Sequence, residues 1–481
     1  MKNISLDHFR ALRAAYDEAY GGLNPFDLQF SQLVNIKMLP SQTGDKPSNA
    51  QRFIGLLKRL FFRCFTLPVI IHSIRSSDFV FFLAEPTHLK QNLPVVKCLR
   101  NRGYSVSLLL SKLKLIKELD EESRRYKIHV LQAVDLPRKG RRKQQEIFRN
   151  TKKVLMKNPM PTSLEKAFIC QIPLLLSIEN TWQKALAKSK VKAIIIGNDI
   201  PRDGRVVTSV AAQLRIPSFM IQHGNIPDDS LHSEHMVDHL LLFGDQSARR
   251  LKALGLAAER LVVTGPPYLD NELKRNRFMA VKRLREFLSL DATPPEEVIL
   301  VAVSGAGHRT SLTHHKKIIR ALLDLAIANV SLTFLVKLHR KDRSEFYREI
   351  SNDVLPSNFL IVEHIPQEIT SNIFDWIELA STVITTNSSV GGEAILLQKN
   401  LISIDLMDEY KGVDYQDYNA CIKVSSNEEL LLAFENLRKN GLPENMLADM
   451  KKFMDAFYGP ARDGKSAERC ANILAKQAKA L

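Results

Sequence analysis

Eight consecutive residues, Thr386-Asn387-Ser388-Ser389-Val390-Gly391-Gly392-Glu393, combine hydroxyls, a glycine pair and a carboxylate after a β-branched run. A strand ending on such a turn aims backbone N–H groups and a helix N-terminus at one spot, a natural seat for a phosphate. Gly391 and Gly392 would let a ligand approach the backbone closely. Glu393, in the first helical turn, could accept hydrogen bonds from a ribose or sugar hydroxyl, or serve only to cap the helix.

Other chemistry-bearing residues recur at comparable places. Glu85 and His88 follow one apolar run, and Asn198 and Asp199 follow another. Gln222-His223-Gly224-Asn225 follows a third, Ser304-Gly305-Ala306-Gly307-His308 a fourth, and Lys337-Leu338-His339-Arg340 a fifth. His223 could act as a general base or contact a diphosphate. Lys337 and His339 suit a diphosphate, because cationic or donor groups neutralise a leaving group without a metal. Asp199 could take a proton from an acceptor hydroxyl, or cap the turn before Pro201. Glu85 and His88 could equally cap the helix starting near Leu89.

The elements that position these residues are legible. Phe79–Ala84, Ser105–Leu110, Ala193–Ile196, Ser218–Ile221, His239–Phe243 and Leu261–Val263 read as strands with helical periodicity between them. Apolar strands in this alternation predict a parallel sheet covered on both faces. Thr264-Gly265-Pro266-Pro267 punctuates the chain, and the alternation restarts at Val298–Val303, Leu332–Val336, Phe359–Val362, Thr382–Thr385 and Leu401–Ile404. The expectation is an α/β chain with two doubly wound Rossmann-like domains facing a cleft. The expected divisions are a mostly helical extension at 1–75, an acceptor domain at 76–265 and a nucleotide-donor domain at 266–481. The last helix is expected to pack back on the first domain.

Composition excludes several classes. With 481 residues, 45% hydrophobic and 25% charged, the chain has the makings of a globular protein of two or three domains. No run of about 18 uncharged apolar residues suggests a membrane span, and the N-terminus lacks the order of a secretory signal. Five scattered cysteines argue for a reducing compartment rather than a disulfide framework. His232, His235 and His239 lack a helical frame for a metal, so no metal is expected. The glycine-rich 304–307 segment lacks a following Gly-Lys-Ser/Thr, so it is no P-loop. A dinucleotide fingerprint and a Gly-x-Ser-x-Gly elbow are also missing.

The net charge of +16 is partly concentrated. Arg138, Lys139, Arg141, Arg142, Lys143, Arg149, Lys152 and Lys153 fall within sixteen residues, opposed only by Glu146. Such a run suits an anionic membrane or glycan, or is a solvated helix face. Without interleaved aromatics or a recognition module, no nucleic-acid partner is expected.

With these residues assembled, the chain resembles GT-B glycosyltransferases of bacterial surface-polysaccharide synthesis. It is similar to capsule polymer transferases, polysialyltransferases and CDP-glycerol glycerophosphotransferases. The resemblance rests on Ile221-Gln222-His223-Gly224, Lys337-Leu338-His339, Asn387-Ser388-Ser389…Glu393 and Tyr458-Gly459…Asp463-Gly464-Lys465. It implies a metal-independent, inverting transferase using a nucleotide-sugar donor, without a further cofactor, on a glycan or lipid-linked acceptor. The implied location is cytoplasmic, peripheral to the inner membrane.

The resemblance implies donor contacts at Lys337, His339, Ser388, Ser389 and Glu393, and the strand-end pattern adds Ser304, Gly305, Asn387, Gly391 and Gly392 as expected donor contacts. His88, Asn198 and Gln222 would face the acceptor, and His223, Asp199 and Glu85 would carry catalysis. Arg340 departs from the proline usual after the histidine. The alternatives are a UDP-N-acetylglucosamine 2-epimerase-like epimerase or hydrolase on the same fold, and a non-catalytic nucleotide-sugar- or glycan-binding subunit. Against epimerisation, Gln222-His223-Gly224-Asn225 lacks the glutamate and arginine of the His-Val-Glu-Ala-Gly-Leu-Arg type segment.

Overall fold

The computed structural model describes residues 5–20, 24–25, 72 and 74–479, except 120, 131–139, 227–229, 307–309, 339–341, 353, 367–368, 370–371 and 411–413. Thirteen strands among these residues form two sheets, and every pairing is parallel.

The first sheet contains β1 (Phe79–Leu83), β2 (Val106–Leu110), β3 (Lys127–Val130), β4 (Ala193–Ile196), β5 (Ser218–Ile221), β6 (His239–Leu242) and β7 (Leu261–Val263). Their order is β3-β2-β1-β4-β5-β6-β7. The second sheet contains β8 (Val298–Ala302), β9 (Thr333–Lys337), β10 (Phe359–Val362), β11 (Thr382–Thr385), β12 (Asn400–Ile404) and β13 (Ile422–Val424), ordered β10-β9-β8-β11-β12-β13. Both are doubly wound Rossmann-like arrangements, as the alternation of apolar strands and helices predicts. β3 and β13 are additions to that expectation. Both are short edge strands whose sequences, Lys127-Ile128-His129-Val130 and Ile422-Lys423-Val424, lack a fully apolar run.

The strands form where their side chains can be buried on both faces. Every residue of β1, β2, β4, β5, β8 and β11 is buried. At ~25 cal/mol per Å² of apolar surface removed from water, this burial dominates the stabilisation of each sheet.

Two switches of strand order position the site. In the first sheet, the chain diverges in opposite directions after β1 and β4; in the second, after β8 and β11. Loops leaving the carboxyl ends at such a point open a crevice where ligands bind. The helix Pro86–Asn101 starts directly after β1, with Pro86 in its first turn. The helix Ser389–Leu396 starts directly after β11.

The C-terminal helix Ser466–Lys479 returns to the first sheet. Cys470, Ala471, Leu474 and Ala478 join a buried cluster with Phe79, Leu89, Val96 and Leu99. Asp270 fixes where this helix begins, accepting from the N–H groups of Ser466 at 3.0 Å and Ala467 at 2.7 Å. A carboxylate at a helix N-terminus satisfies orphan donors and favours the helix dipole.

At the other end of the chain, the helix Leu6–Tyr20 buries Phe9, Leu12 and Tyr16 against Val154, Leu155, Leu164 and Phe168. Arg10 and Arg13 clip it to Glu234 at 2.9 and 2.8 Å.

Among the described residues, no helix is long and apolar enough to cross a membrane. Cys98, Cys170, Cys421 and Cys470 are free thiols, while Cys64 lies outside the described residues. The helix Gly140–Lys157 buries Ile147, Thr151, Val154 and Leu155 and exposes Arg142, Arg149, Lys152, Lys153 and Lys157. Arg138 and Lys139 lie outside the described residues, as do the side chains of Arg141 and Lys143.

Candidate functional site

A cavity of about 90 Å³ lies where the two sheets' carboxyl ends meet. Thr87, Lys90, Gln91, His223, Gly224 and Asn225 come from the first sheet's loops and helix. The facing wall includes Tyr268, Ser389, Glu393 and Tyr458. The structure therefore brings together His223, Ser389 and Glu393, which are 166 and 170 residues apart in sequence.

On the second-sheet side, the loops after β8 and β11 are tied into one turn. The Ser304 N–H donates to Thr386 Oγ1 at 3.1 Å, and the Ser304 hydroxyl donates to Asn387 Oδ1 at 3.2 Å. Ser388 is the N-cap of the helix Ser389–Leu396, its hydroxyl accepting from Val390 N–H at 3.3 Å. Ser389, one residue further, is exposed at the cavity.

The glycine pair serves a different purpose from the one its sequence suggests. A Cβ on Gly391 would lie 2.6 Å from the Tyr415 ring, and one on Gly392 would lie 2.6 Å from the Tyr458 hydroxyl. These glycines admit two tyrosines rather than a ligand. Tyr415 in turn donates to the Thr386 carbonyl at 2.6 Å and fixes the turn from behind. Gly305 likewise makes room for the backbone of Asp342.

Glu393 is buried on the cavity wall. Tyr268 donates to its Oε1 at 3.3 Å, and Lys90 Nζ stands 3.8 Å from the same oxygen. Burial raises the Glu393 pKa above the ordinary carboxylate range, while Lys90 and the Tyr268 hydrogen bond oppose that shift. Lys90 also lies 4.2 Å from the centre of the Tyr268 ring, a cation–π contact.

On the first-sheet side, two imidazoles meet edge to face. The His88 and His223 ring centres are 4.6 Å apart at 73°. His88 Nδ1 accepts from Ala84 N–H at 3.2 Å, which puts the proton of the neutral ring on Nε2. A Cβ on Gly197, at the end of β4, would stand 2.3 Å from that Nδ1. The switch point thus clamps His88 from two sides.

Burial holds the His88 pKa well below the ordinary value, with His223 and Lys112 adding to the effect. Burial also pushes the His223 pKa down to about 4, helped by His235 and opposed by Asp199. Both rings are therefore neutral at pH 7, and His223 has a lone pair available to take a proton. Its Nδ1 is buried without a hydrogen-bond partner among the described residues.

Several sequence candidates prove to be committed elsewhere. Asp199, expected in catalysis, is fully buried and accepts from His235 Nδ1 at 2.5 Å and the N–H groups of Met236 and Val237 at 2.5 and 3.0 Å. Although burial opposes it, the His235 partnership holds the carboxyl well below its ordinary range. It organises the loop before β6 and has no oxygen spare for an acceptor.

Glu85, also expected in catalysis, is exposed and paired with Lys112 at 2.8 Å. Gln222 turns inward, donating to the Gly224 carbonyl at 2.8 Å and accepting from Phe243 N–H at 2.9 Å. Asn198 accepts from Ile200 N–H at 2.9 Å, an Asx turn. These two residues shape the loops rather than line the cavity. Lys337 stands 5.7 Å from the Trp376 ring centre and is not on the cavity wall. His308, His339 and Arg340 lie outside the described residues.

Lys90, Gln91 and Tyr268 were not singled out from sequence. Lys90 and Gln91 sit within an ordinary amphipathic helix, so residue type alone gives no signal. Their i, i+3 and i, i+4 spacing from Thr87 and His88 places them on the facing surface only once that helix is known to begin at Pro86.

A family model described as UDP-N-acetylglucosamine 2-epimerase matches residues 222–475. Among solved structures, UDP-GlcNAc 2-epimerase from Neisseria meningitidis bound to UDP-GlcNAc is similar at a TM-score of 0.52 and 15% identity, covering 83% of this chain and 99% of that one. The Methanocaldococcus jannaschii UDP-GlcNAc 2-epimerase, in complex with UDP-GlcNAc and UDP, gives 0.54 and 17%, with coverages of 83% and 99%. A glycosyltransferase from Rickettsia africae gives 0.53 and 13%, covering 84% and 99%. No curated protein matches the chain.

At such identities the structural likeness establishes the shared GT-B-like fold and does not separate one reaction from another. The family match does, and it overturns the expectation of a glycosyltransferase. That expectation rested on short motifs at strand ends, which mark a seat for a nucleotide and not the bond that is broken. The matched segment runs from Gln222 to the C-terminal helix and spans more than half of the chain, which thus belongs to the UDP-N-acetylglucosamine 2-epimerase family.

Proposed function

We propose that this chain is a UDP-sugar 2-epimerase that binds UDP-N-acetylglucosamine, or a close relative of it, in the cleft between the two domains. The observation that carries this reading is the meeting of His223 and Lys90 with Ser389 and Glu393 around one cavity inside a member of this family. The cavity of about 90 Å³ is smaller than a nucleotide sugar, so the cleft opens for the ligand to enter.

The chemistry follows from the substrate. The C2–H bond of such a sugar has no neighbouring carbonyl to acidify it, but C1 carries a good leaving group. A base removes the C2 proton, the electron pair forms the C1–C2 double bond, and the C1–O bond breaks to release UDP. Return of the UDP oxygen to C1, with a proton delivered to the other face of C2, gives the epimer. Water entering in place of UDP gives the free sugar.

The residues on the cavity wall fit these needs. His223 is neutral and is the base in this reading. The N-terminus of the helix Ser389–Leu396, together with Lys90, stabilises the negative charge that develops on the diphosphate. Glu393 holds the nucleotide side and exchanges Lys90 for a ligand hydroxyl when UDP-sugar enters.

The test is incubation of the purified chain with UDP-N-acetylglucosamine and no acceptor, followed by ³¹P and ¹H NMR. Formation of the 2-epimer or of free UDP is expected, reduced at least 100-fold in His223→Gln. Neither product forming would overturn the reading. We also propose that the exposed basic face of the helix Gly140–Lys157 is the contact with an anionic membrane surface.

A further inference from the structure

The first-domain wall of the cavity contains a second polar group that no hydrogen bond accounts for. Gln91 is 4% exposed and lines the cavity, and its Oε1 is buried without a partner among the described residues. Buried polar atoms in native proteins are nearly always paired, and leaving one unpaired destabilises the fold. Such a group persists where a ligand completes it. Among the described residues, the other unpartnered atom on this wall is Nδ1 of His223, the residue already proposed as the base.

Helix geometry places the two close together. Gln91 is three residues after His88 on the helix Pro86–Asn101, so both side chains leave the same face. The His88 ring is in turn 4.6 Å from that of His223. A sugar whose C2 proton points at His223 would hold its C2 substituent within the same small cavity that Gln91 lines. In an N-acetylated amino sugar that substituent is an acetamido group, whose N–H is a donor that matches an amide oxygen.

Building on the proposed reaction, we propose that Gln91 is a specificity-determining residue that accepts a hydrogen bond from the acetamido N–H at C2 of the bound sugar. Sites that provide a buried partner for one substrate group discriminate strongly against analogues lacking it. Among the described residues, no other member of the cavity wall is a buried side-chain amide.

Calorimetric titration of the intact protein with UDP-N-acetylglucosamine, UDP-glucose and UDP tests this assignment. In the wild type, UDP-N-acetylglucosamine is expected to bind about tenfold or more tightly than UDP-glucose. Gln91→Leu should abolish that preference and leave UDP affinity unchanged. Gln91→Glu, which keeps an oxygen at the same place, should retain part of the preference. Thermal unfolding of each variant separates a folding defect from a binding one, and Gln91→Glu decides the matter if Gln91→Leu fails to fold.

An unchanged preference in Gln91→Leu, or a parallel loss of UDP affinity, would overturn the assignment. So would a wild type that binds both sugars equally, with the proposed reaction left standing. A wild type that binds none of the three nucleotides removes the proposed reaction and this assignment together.

Discussion

Lys90 Nζ of the first domain lies 3.8 Å from Glu393 Oε1 of the second, with the face of Tyr268 4.2 Å from the same ammonium. The cation is half-exposed and the carboxylate is buried, so the pair closes the cleft while keeping one end in water. The contact joins the helices that leave the two switch points, and it must loosen when the cleft opens.

Lys90→Met should destabilise the closed protein in a pH-dependent way. Burial already raises the Glu393 pKa, and removing Lys90 raises it further, because Lys90 is the largest influence lowering it. A raised carboxyl pKa gives stability that is present in acid and lost as pH rises through the folded value. The cost of Lys90→Met is therefore small near pH 5 and larger at pH 8. Its size is about 1 kcal/mol, limited by solvent screening, and corresponds to a fall in Tm of roughly 2–4 °C. Adding Glu393→Gln should restore most of it.

Asp199→Asn should also cost less in acid, but over a lower pH range and for a different reason. Burial alone would raise the wild-type carboxyl, but His235, Arg205 and the Val237 N–H hold it below its ordinary range. A lowered carboxyl pKa contributes stability above the unfolded value of about 3.9 and loses it as pH falls towards the folded value. Denaturant titration at pH 7 should show a loss of about 3 kcal/mol, because an amide places a donor against donors in a buried site. At pH 3 the difference should shrink. A loss of turnover with unchanged stability would contradict the positioning role.

Much of this site was legible in the sequence because of where strands end. Fully apolar runs such as Phe79–Leu83 and Ala193–Ile196 can only be interior strands of a covered parallel sheet, so the loops after them had to converge. That logic led to His223, Ser389 and Glu393. It could not rank the residues within a loop. Whether Asp199 faces the cleft or the protein depends on His235, Met236 and Val237, which arrive from a loop 36 residues later. The purpose of Gly391 and Gly392 likewise depended on Tyr415 and Tyr458, which are distant in sequence. The short motifs point to transfer where the family match gives an epimerase family, because a phosphate seat at a strand end is compatible with either reaction.

Gly391→Ala should act through packing. Its new Cβ would stand 2.6 Å from the Tyr415 ring, which is itself bonded to the Thr386 carbonyl and cannot retreat freely. Overpacking of this kind costs about 1–3 kcal/mol. The shift should appear in the denaturation midpoint without ligand, and adding Tyr415→Phe should relieve only part of it, since the ring carbons still collide once the hydroxyl tether is gone.

The basic face of the helix Gly140–Lys157 should hold the protein on anionic vesicles at low salt and release it at high salt. Each cation near such a surface contributes about 1 kcal/mol. Co-sedimentation with phosphatidylglycerol vesicles should fall about tenfold or more in the double variant Arg149→Glu and Lys153→Glu. Equal binding to neutral vesicles would contradict the assignment.

Epimerisation begins at one bond, the C2–H of the sugar. Incubating the protein with UDP-N-acetylglucosamine in D₂O, with no acceptor present, and recording ¹H NMR and mass spectra of the recovered nucleotide sugar tests it directly. One deuterium is expected at C2, in the product and in time in recovered substrate, and none in His223→Gln. A nucleotide sugar recovered with its C2 proton intact, after exhaustive incubation with folded protein, would contradict it.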